Sequence, residues 1–292
     1  MFAHAYKINA VYTKPLLGVT TSFDNKSASY IGTWIHLNRD GWIVTANHCL
    51  SALYDYQRDQ RLVKVLNQEI DVVKNDVTLS ADKKEEKIKQ IKTRFKPDWI
   101  SSYLLWFGDT SVAVSNLIVL EEADIAIAQI KNFQSNSISN YPLLKGNGPL
   151  DKGTSLCKMG YAFQEITMDR ATDNSLNVRF PNGNPEALPV EGILMRELNH
   201  GKSADNKYDI RSIETSSTSI KGQSGGPIFD RNGTLWSVNL NVVNLSLGFA
   251  PEITMQDGSV HTENQFFNAG RGIHPDLLKQ FLRDNHVQFQ MA

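Results

Sequence analysis

Short apolar runs that alternate with polar positions dominate the chain, and Gly, Asn, Asp and Ser interrupt them. Runs of this length and period are typical of antiparallel strands rather than of long helices. Residues 31–37 and 42–45 flank the pair Asp40-Gly41, which predicts a hairpin, because glycine adopts a positive φ without steric cost. Further strands are predicted at residues 62–65, 115–120, 125–130, 155–160, 192–197, 227–229 and 234–243.

Two segments follow a helical period instead. Residues 80–95 are rich in Lys and Glu, with apolar residues at helical spacing, which predicts an amphipathic surface helix. Near the end of the chain, Pro275 and Asp276 suit the first turn of a helix that begins after His274. The apolar stripe of this C-terminal helix consists of Leu277, Leu278, Phe281 and Leu282.

Composition narrows the class of protein. Hydrophobic residues make up 41% of the 292 residues and charged residues 21%, which indicates a globular chain long enough for two cores. Thirty Lys and Arg against 31 Asp and Glu give a formal net charge of −1, so no global field favours nucleic acid or an anionic membrane. The sequence therefore predicts neither a nucleic-acid partner nor a membrane partner.

The cysteines and the first residues bear on location. Cys49 and Cys157 lie in separate apolar segments, so we expect two buried free thiols rather than a disulfide. The first residues lack the pattern of a secretory signal, and no stretch approaches the roughly 18 apolar residues of a membrane helix. Both observations favour a reducing, cytoplasmic location.

The motif Gly-Gln-Ser-Gly-Gly at residues 222–226 is the most specific chemical signal in the chain. Glycines on both sides of Ser224 permit a tight turn that exposes the hydroxyl and directs backbone N–H groups to one point, as acyl transfer requires. The simplest alternative is a glycine-rich surface loop. The motif also fits the nucleophile turn of α/β-hydrolases with His261 or His274 as base, but residues 227–233 predict a strand and a turn, not the required helix.

Two further segments supply the groups that a serine nucleophile needs. His48 directly follows a predicted strand, and Asp124 opens another. An imidazole takes the serine proton, and a carboxylate holds the imidazole in the correct tautomer. Structural roles are expected for the remaining histidines: His4, His36, His200, His261, His274 and His286.

Together, His48, Asp124 and Ser224 resemble the motifs of the trypsin-like serine protease superfamily in the same chain order. The opening hairpin, the strand after the serine and the ending are similar to the bacterial HtrA-like branch, although no PDZ-like domain follows. The resemblance implies an all-β fold of two antiparallel six-stranded barrels, with a C-terminal helix and a helical insertion in the first barrel. It implies an N-terminal barrel at 11–131 with the insertion at about 76–105, a linker at 132–148, and a C-terminal barrel with helix at 149–287.

The resemblance also implies roles for individual residues. His48 is the general base, Asp124 its orienting acid and Ser224 the nucleophile, and the N–H groups of Gly222 and Ser224 form the oxyanion hole. The residues expected to line the primary substrate pocket are Thr218 at its base and Leu240, Val242 and Gly272 in its walls. Because no carboxylate lies at the base, cleavage after small or medium apolar or uncharged residues is expected, and cleavage after Lys or Arg is not. An alternative that stays open is that Thr218, Ser219 and His274 offer donors to an acidic side chain.

The predicted function is that of a bacterial cytoplasmic serine endopeptidase that acts on protein or peptide substrates and needs no metal or organic cofactor. Gln223 stands where secreted zymogens carry an activating acid, so activation by N-terminal cleavage is not expected. A regulatory protein partner at the charged insertion is one hypothesis for control. Two alternatives remain open at this point: a catalytically silent binding module on a protease scaffold, and an α/β-hydrolase-type esterase.

Overall fold

The computed structural model describes residues 1–106, 113–134, 138–170, 176–181, 183 and 185–292. Strands prevail in these residues. The helices are α1 (Ala3–Tyr12), α2 (Ser51–Asn75), α3 (Ala81–Lys92) and α4 (Pro275–Asp284). The strands of the first half are β1 (Thr13–Ser22), β2 (Ser27–His36), β3 (Trp42–Ala46), β4 (Ile100–Trp106), β5 (Val114–Leu120) and β6 (Ile125–Ile130). No described helix is long and apolar enough to cross a membrane.

The remaining strands lie in the second half: β7 (Leu143–Leu144), β8 (Ser155–Gly160), β9 (Thr167–Arg170), β10 (Leu176–Arg179), β11 (Leu188–Lys202), β12 (Asp209–Thr215), β13 (Pro227–Phe229), β14 (Leu235–Ser246), β15 (Glu252–Thr254), β16 (Val260–Thr262), β17 (Phe266–Ile273) and β18 (Gln290–Met291). Strands β9 with β10 and β15 with β16 form two separate two-stranded hairpins.

Contacts divide the chain into two compact units. The larger unit comprises Met1–Leu16, Ile31–Cys49 and Val112–Ala292, and the smaller comprises Leu17–Tyr30 and Leu50–Ser111. Strands β1 and β2 contribute residues to both units. The barrel boundaries at 11–131, 132–148 and 149–287 stay predictions.

The C-terminal sheet closes into a barrel. Its strand order is β13-β8-β11-β12-β17-β14-β7-β18, and an additional pairing of β13 with β14 joins six of these strands into a ring. Its interior buries the apolar residues Leu156, Leu194, Ile213, Ile228 and Trp236. Among the described residues a closing pairing of this kind is present only in this sheet, so barrel closure in the protein is partial. The predicted chymotrypsin-like class is confirmed.

In the larger unit, the N-terminal sheet has the order β2-β3-β6-β5. The pairing of β3 with β6 runs from Trp42 opposite Gln129 to Ala46 opposite Ile125. Because Ala46 ends β3 and Ile125 begins β6, the residues just after β3 and just before β6 lie at the same end of the sheet.

Most predicted strands are confirmed. Those at 125–130, 155–160 and 227–229 have these bounds in β6, β8 and β13, and most others overlap observed strands. The strand at 62–65 is wrong, because these residues lie inside α2. Leu62, Leu66 and Ile70 recur at helical spacing, with Leu66 and Ile70 buried, and a four-residue run taken without its flanks does not show this period.

The smaller unit carries the helical insertion, which begins earlier than predicted because α2 precedes α3. Asp59 of α2 is buried, and its carboxylate accepts the backbone N–H of Ile100 at 2.9 Å. Arg94, just after α3, donates twice to Glu69 of α2. A buried acid and a bidentate ion pair thus fix the two helices to the rest of this unit.

Helices lie at both ends of the larger unit. The predicted C-terminal helix is confirmed as α4: Pro275 is its first residue, and Nδ1 of His274 accepts the N–H of Asp276 at 3.1 Å. Helix α1 was not predicted, since it has no capping side chain at its start. Phe2 and Ala5 pack against an apolar cluster of the C-terminal sheet. That cluster consists of Cys157, Met159, Tyr161, Ala187 and Phe229.

Candidate active site

His48 and Asp124 form a bidentate pair at the end of the N-terminal sheet. Nδ1 of His48 lies 2.7 Å from Oδ2 of Asp124, and the backbone N–H of His48 donates to Oδ1 at 2.9 Å. The two oxygens of one carboxylate therefore hold both the ring and the backbone of one residue. This geometry leaves Nε2 as the ring nitrogen that can exchange a proton with a nucleophile.

The backbone of Asp124 is adapted to this task. Its φ of 51° and ψ of 40° place it in the left-handed region, which Asp and Asn tolerate better than most residues. In this conformation its carbonyl accepts the N–H of Asn47 at 2.9 Å. Main-chain and side-chain hydrogen bonds therefore join the segment of Asp124 to the segment of Asn47 and His48.

The electrostatics of the pair favour a charged imidazole. Hydrogen bonding to Asp124, with a smaller contribution from Cys49, raises the pKa of His48 from 6.5 to about 10. The side chain of His48 is 47% exposed, so water and substrate both reach it. In the free protein at neutral pH the imidazolium is therefore the favoured form.

Ser224 lies in the loop of residues 222–226, which is held against β2. The backbone N–H of Thr33 donates to the carbonyl of Ser224, and Oγ1 of Thr33 donates to the carbonyl of Gly222, both at 2.8 Å. Gly225 has a φ of +85°, and a Cβ there would lie 2.0 Å from the carbonyl oxygen of Thr33. The loop therefore requires glycine at this position, as the motif indicates.

The loop of Ser224 contacts the segment of His48. Sγ of Cys49 lies 3.7 Å from the carbonyl oxygen of Ser224. Cys49 and Cys157 are both buried free thiols, which confirms that prediction. The structure thus brings the three predicted catalytic residues into one region of the larger unit.

The hydroxyl of Ser224 is bonded to a main-chain carbonyl. Its Oγ donates to the carbonyl of Leu240 at 2.9 Å, and within the described residues no hydrogen bond joins it to His48. A charged imidazole cannot accept the serine proton, so this arrangement agrees with the raised pKa of His48.

The predicted oxyanion donors have no competing acceptor. In the part of the chain that the structure describes, the N–H groups of Gly222 and Ser224 donate to no protein atom. The fully buried Gln223 between them donates from its side chain to the carbonyl of Leu188 at 3.0 Å. The side chain of Gln223 therefore anchors the loop. The N–H groups of Gly222 and Ser224 stay available to an oxyanion.

The residues predicted for the substrate pocket lie near one another. Val242 pairs with Gly270 of β17, and the N–H of Gly270 donates to the carbonyl of Ser217, next to the exposed Thr218. Leu240 is buried. Gly272 faces the barrel interior, where a Cβ would meet Oγ of Ser237 at 2.3 Å. The role of each residue in binding stays a prediction.

Sequence reasoning missed two polar residues around this loop. Thr33 anchors it, and no local motif distinguishes this threonine within a β-strand. Lys158 of β8 is 1% exposed, and its ammonium donates to the carbonyl of Ser217 and to Oγ1 of Thr215. A lysine between Cys157 and Met159 in an apolar strand is the one sequence signal that pointed to it.

The α/β-hydrolase alternative is wrong, because strand β13 and not a helix follows the serine loop. Among solved structures, the chain is similar to the Rv3671c protease from M. tuberculosis in its active form, with 11% identity, a TM-score of 0.48, and 97% of this chain and 85% of that chain covered. For the inactive form the identity is 12% and the TM-score 0.44, with 97% and 92% covered. No curated protein matches the chain by sequence.

The family model of the trypsin-like peptidase domain matches residues 32–237, which include His48, Asp124 and Ser224. This match spans most of the chain and includes the strands that carry the paired histidine and aspartate and the glycine-flanked serine. On this ground the chain belongs to the family of trypsin-like peptidase domains.

Proposed function

We propose that the protein is a serine endopeptidase that hydrolyses peptide bonds through an acyl-enzyme on Ser224. His48 takes the proton of the Ser224 hydroxyl during attack on the scissile carbonyl and then gives it to the leaving amine. Asp124 orients the imidazole and stabilises its charged form. The N–H groups of Gly222 and Ser224 bind the oxyanion, and water then hydrolyses the acyl-enzyme.

The bidentate contact between His48 and Asp124 is the observation that carries this proposal. A purely structural turn or ion pair would need only the backbone bond or only the ring bond between His48 and Asp124. Neither structural role would require a ring that is held with Nε2 free. The contact lies at the same end of the sheet as the serine loop, which touches Cys49 directly after His48. Orientation of the imidazole by an acid is what a serine nucleophile requires.

The proposal includes a resting form. To react, the hydroxyl of Ser224 has to leave the carbonyl of Leu240 and turn to Nε2 of His48, and the imidazole has to lose its proton. Binding of substrate or of a protein partner is the event that would shift this equilibrium. The charged insertion is the proposed docking element, since no residue of α3 is buried and most of them are exposed.

The proposed location is the cytoplasm of a bacterial cell. The two buried cysteines are free thiols, and glutathione and thioredoxin keep thiols reduced in that compartment. Fractionation of cells that express the full chain with a C-terminal epitope would place the protein in the cytoplasmic fraction under this proposal.

A fluorophosphonate probe tests the proposed activity. The probe should phosphonylate Ser224 of the wild type at pH 8 to 9, as mass spectrometry of the modified peptide would show. Ser224→Ala should take up no label, and Ser259→Ala, which removes an exposed hydroxyl of a separate hairpin, should label like the wild type. Addition of cell lysate should increase labelling if a partner opens the site, and removal of residues 76–96 should abolish that increase.

The hydroxyl bond to Leu240 also favours a second candidate, a catalytically silent binding module. A silent module would keep this bond under all conditions. Absence of an adduct on Ser224 at every pH, with and without lysate, would favour this candidate over the endopeptidase.

A further inference from the structure

Lys158 is a buried cation that forms no ion pair with the acidic residues that the structure describes. Its side chain is 1% exposed and projects from β8 into the C-terminal barrel. Nζ donates to Oγ1 of Thr215 at 3.1 Å and to the carbonyl oxygen of Ser217. An ammonium has three N–H donors, so one is left over, and none of the described acidic residues forms an ion pair with it.

A buried charge in this state is expensive. Burial lowers the pKa of Lys158 to about 8, so most molecules still carry the positive charge at pH 7. Buried lysines are normally paired, as Lys279 of helix α4 is with Asp276 at 3.0 Å. Neutral oxygens alone satisfy Lys158, which is the condition expected of a group that receives its counter-ion from a ligand.

The ammonium of Lys158 fills the space that a side chain at position 270 would need. A Cβ on Gly270 would lie 2.0 Å from Nζ of Lys158 and 2.8 Å from Oγ of Ser219. Any larger residue at this position would collide with the ammonium. The ammonium of Lys158 and the hydroxyl of Ser219 therefore both lie against Gly270, next to the loop in which Thr218 is exposed and Ser219 is half-buried.

Asn239 connects Ser219 to the serine loop. Oγ of Ser219 donates to Oδ1 of Asn239 at 2.7 Å, and the backbone of Asn239 exchanges two hydrogen bonds with Gly225 and Gly226. Nδ2 of this fully buried asparagine has no partner among the described residues. A second donor therefore lacks an acceptor, one residue away from Leu240, whose carbonyl binds the Ser224 hydroxyl.

We propose that Lys158, Ser219 and Asn239 form a carboxylate-binding subsite for an Asp or Glu side chain immediately before the scissile bond. This inference rests on the proposed peptidase function. Ser224 attacks the carbonyl of the residue immediately before the scissile bond. The side chain of that residue can therefore reach Asn239, whose backbone is hydrogen-bonded to Gly225. A carboxylate has four acceptor positions, enough for the spare N–H of the ammonium and for Nδ2 of Asn239, and the hydroxyl of Ser219 orients that amide through its bond to Oδ1. The subsite would replace the apolar preference expected from the sequence.

Cleavage of matched peptides tests the subsite. A set of fluorogenic peptides that differ only in Glu, Gln, Leu or Arg before the cut should give a kcat/KM for Glu about 10- to 100-fold above that for Gln. Lys158→Met, of similar length without charge, should bring the Glu-to-Gln ratio close to one, and Ser219→Ala should reduce it in part. Lys279→Met removes the other buried lysine and should leave the ratio unchanged. A wild type that cleaves after Gln or Leu but without a preference for Glu would overturn the subsite and leave the peptidase function intact.

A binding measurement keeps the subsite testable without turnover. Fluorescein-labelled tetrapeptides that end in Glu or Gln should bind Ser224→Ala with affinities that differ by about tenfold or more in favour of Glu, by fluorescence polarisation. The double variant Ser224→Ala with Lys158→Met should lose that difference. Equal affinity of the two peptides for Ser224→Ala would contradict the subsite, whereas absence of fluorophosphonate labelling in the wild type would contradict the peptidase function alone.

Discussion

The hydroxyl of Ser224 donates to the carbonyl of Leu240 at 2.9 Å, although the imidazole of His48 belongs to the same site. Reaction therefore needs two changes: the imidazole has to become neutral, and the hydroxyl has to exchange one acceptor for another. The exchange costs little, since one hydrogen bond replaces another. The proton balance of His48 is therefore the main control of the resting form.

Substitution of Ser224 and substitution of His48 should lower activity by nearly the same factor. Ser224→Ala or His48→Ala should lower kcat/KM by roughly four to six orders of magnitude, because nucleophile and base act as one unit. The double variant should be hardly slower than either single variant. Losses that multiply in the double variant, measured with one peptide at one pH, would show that the two residues act separately.

The pH profile should reflect the contact with Asp124. Because this contact raises the pKa of His48 to about 10, the neutral base is scarce at pH 7 and kcat/KM should rise with pH through the alkaline range. In Asp124→Asn the acidic limb should move down toward pH 6.5, while the maximum rate falls by about 10⁴. An acidic limb at or below pH 6.5 in the wild type would contradict this role of the carboxylate.

Two glycines with positive φ provide a matched test of the serine loop. Gly225 and Gly248 have φ values of +85° and +78°, but a Cβ on Gly225 would collide with Thr33, whereas no atom of the described residues lies within 4 Å of one on Gly248. Gly225→Ala should cost about 2 to 5 kcal/mol of unfolding free energy and abolish fluorophosphonate labelling. Gly248→Ala should cost about 1 to 2 kcal/mol and label normally. Equal losses in urea denaturation would refute the close approach to Thr33.

Removal of the buried charge should stabilise the protein. Lys158→Met should raise the free energy of unfolding at pH 7 by about 1 to 3 kcal/mol, since a pKa lowered from 10.5 to about 8 corresponds to a penalty on the charged form. The acceptors keep partners, because Thr215 Oγ1 and the N–H of Gly270 both still donate to the carbonyl of Ser217.

The gain in stability of Lys158→Met over the wild type should depend on pH. The folded-state pKa lies below the unfolded value, so the penalty is complete below pH 8 and disappears as the pH rises from 8 to 10.5. Wild type and Lys158→Met should therefore converge in stability near pH 10.5. A difference independent of pH would assign the effect to packing instead of charge.

Local pattern was sufficient for the parts of the site that depend on neighbours in sequence. Ser224 between glycines, His48 after an apolar strand and Asp124 before another each carry their signal within a few residues, and the register of β3 with β6 does the rest. Reliance on short local patterns also explains the wrong strand prediction at 62–65, because the helical period is visible only over the whole of α2.

The missed features depend on contacts between distant residues. Lys158 meets Thr215 and Ser217 across 57 and 59 positions, so only the closed barrel shows that its charge is buried and unpaired. The hydroxyl of Ser224 can donate to the carbonyl of Leu240 or to the imidazole of His48, and both acceptors lie outside the motif at residues 222–226. Neither property has a signature in a short window of sequence.

The docking of α1 bears on the order of events during synthesis. Nδ2 of Asn9 donates to the carbonyl of Gly233, 224 positions later, and Phe2 packs against Phe229. At roughly 5–20 residues per second, about 10 to 45 s separate the emergence of these partners from the ribosome. Helix α1 cannot bury its apolar side chains against these partners in this interval, so it is made well before it can dock, and nascent chains that end before residue 229 should expose it to chaperones and proteases.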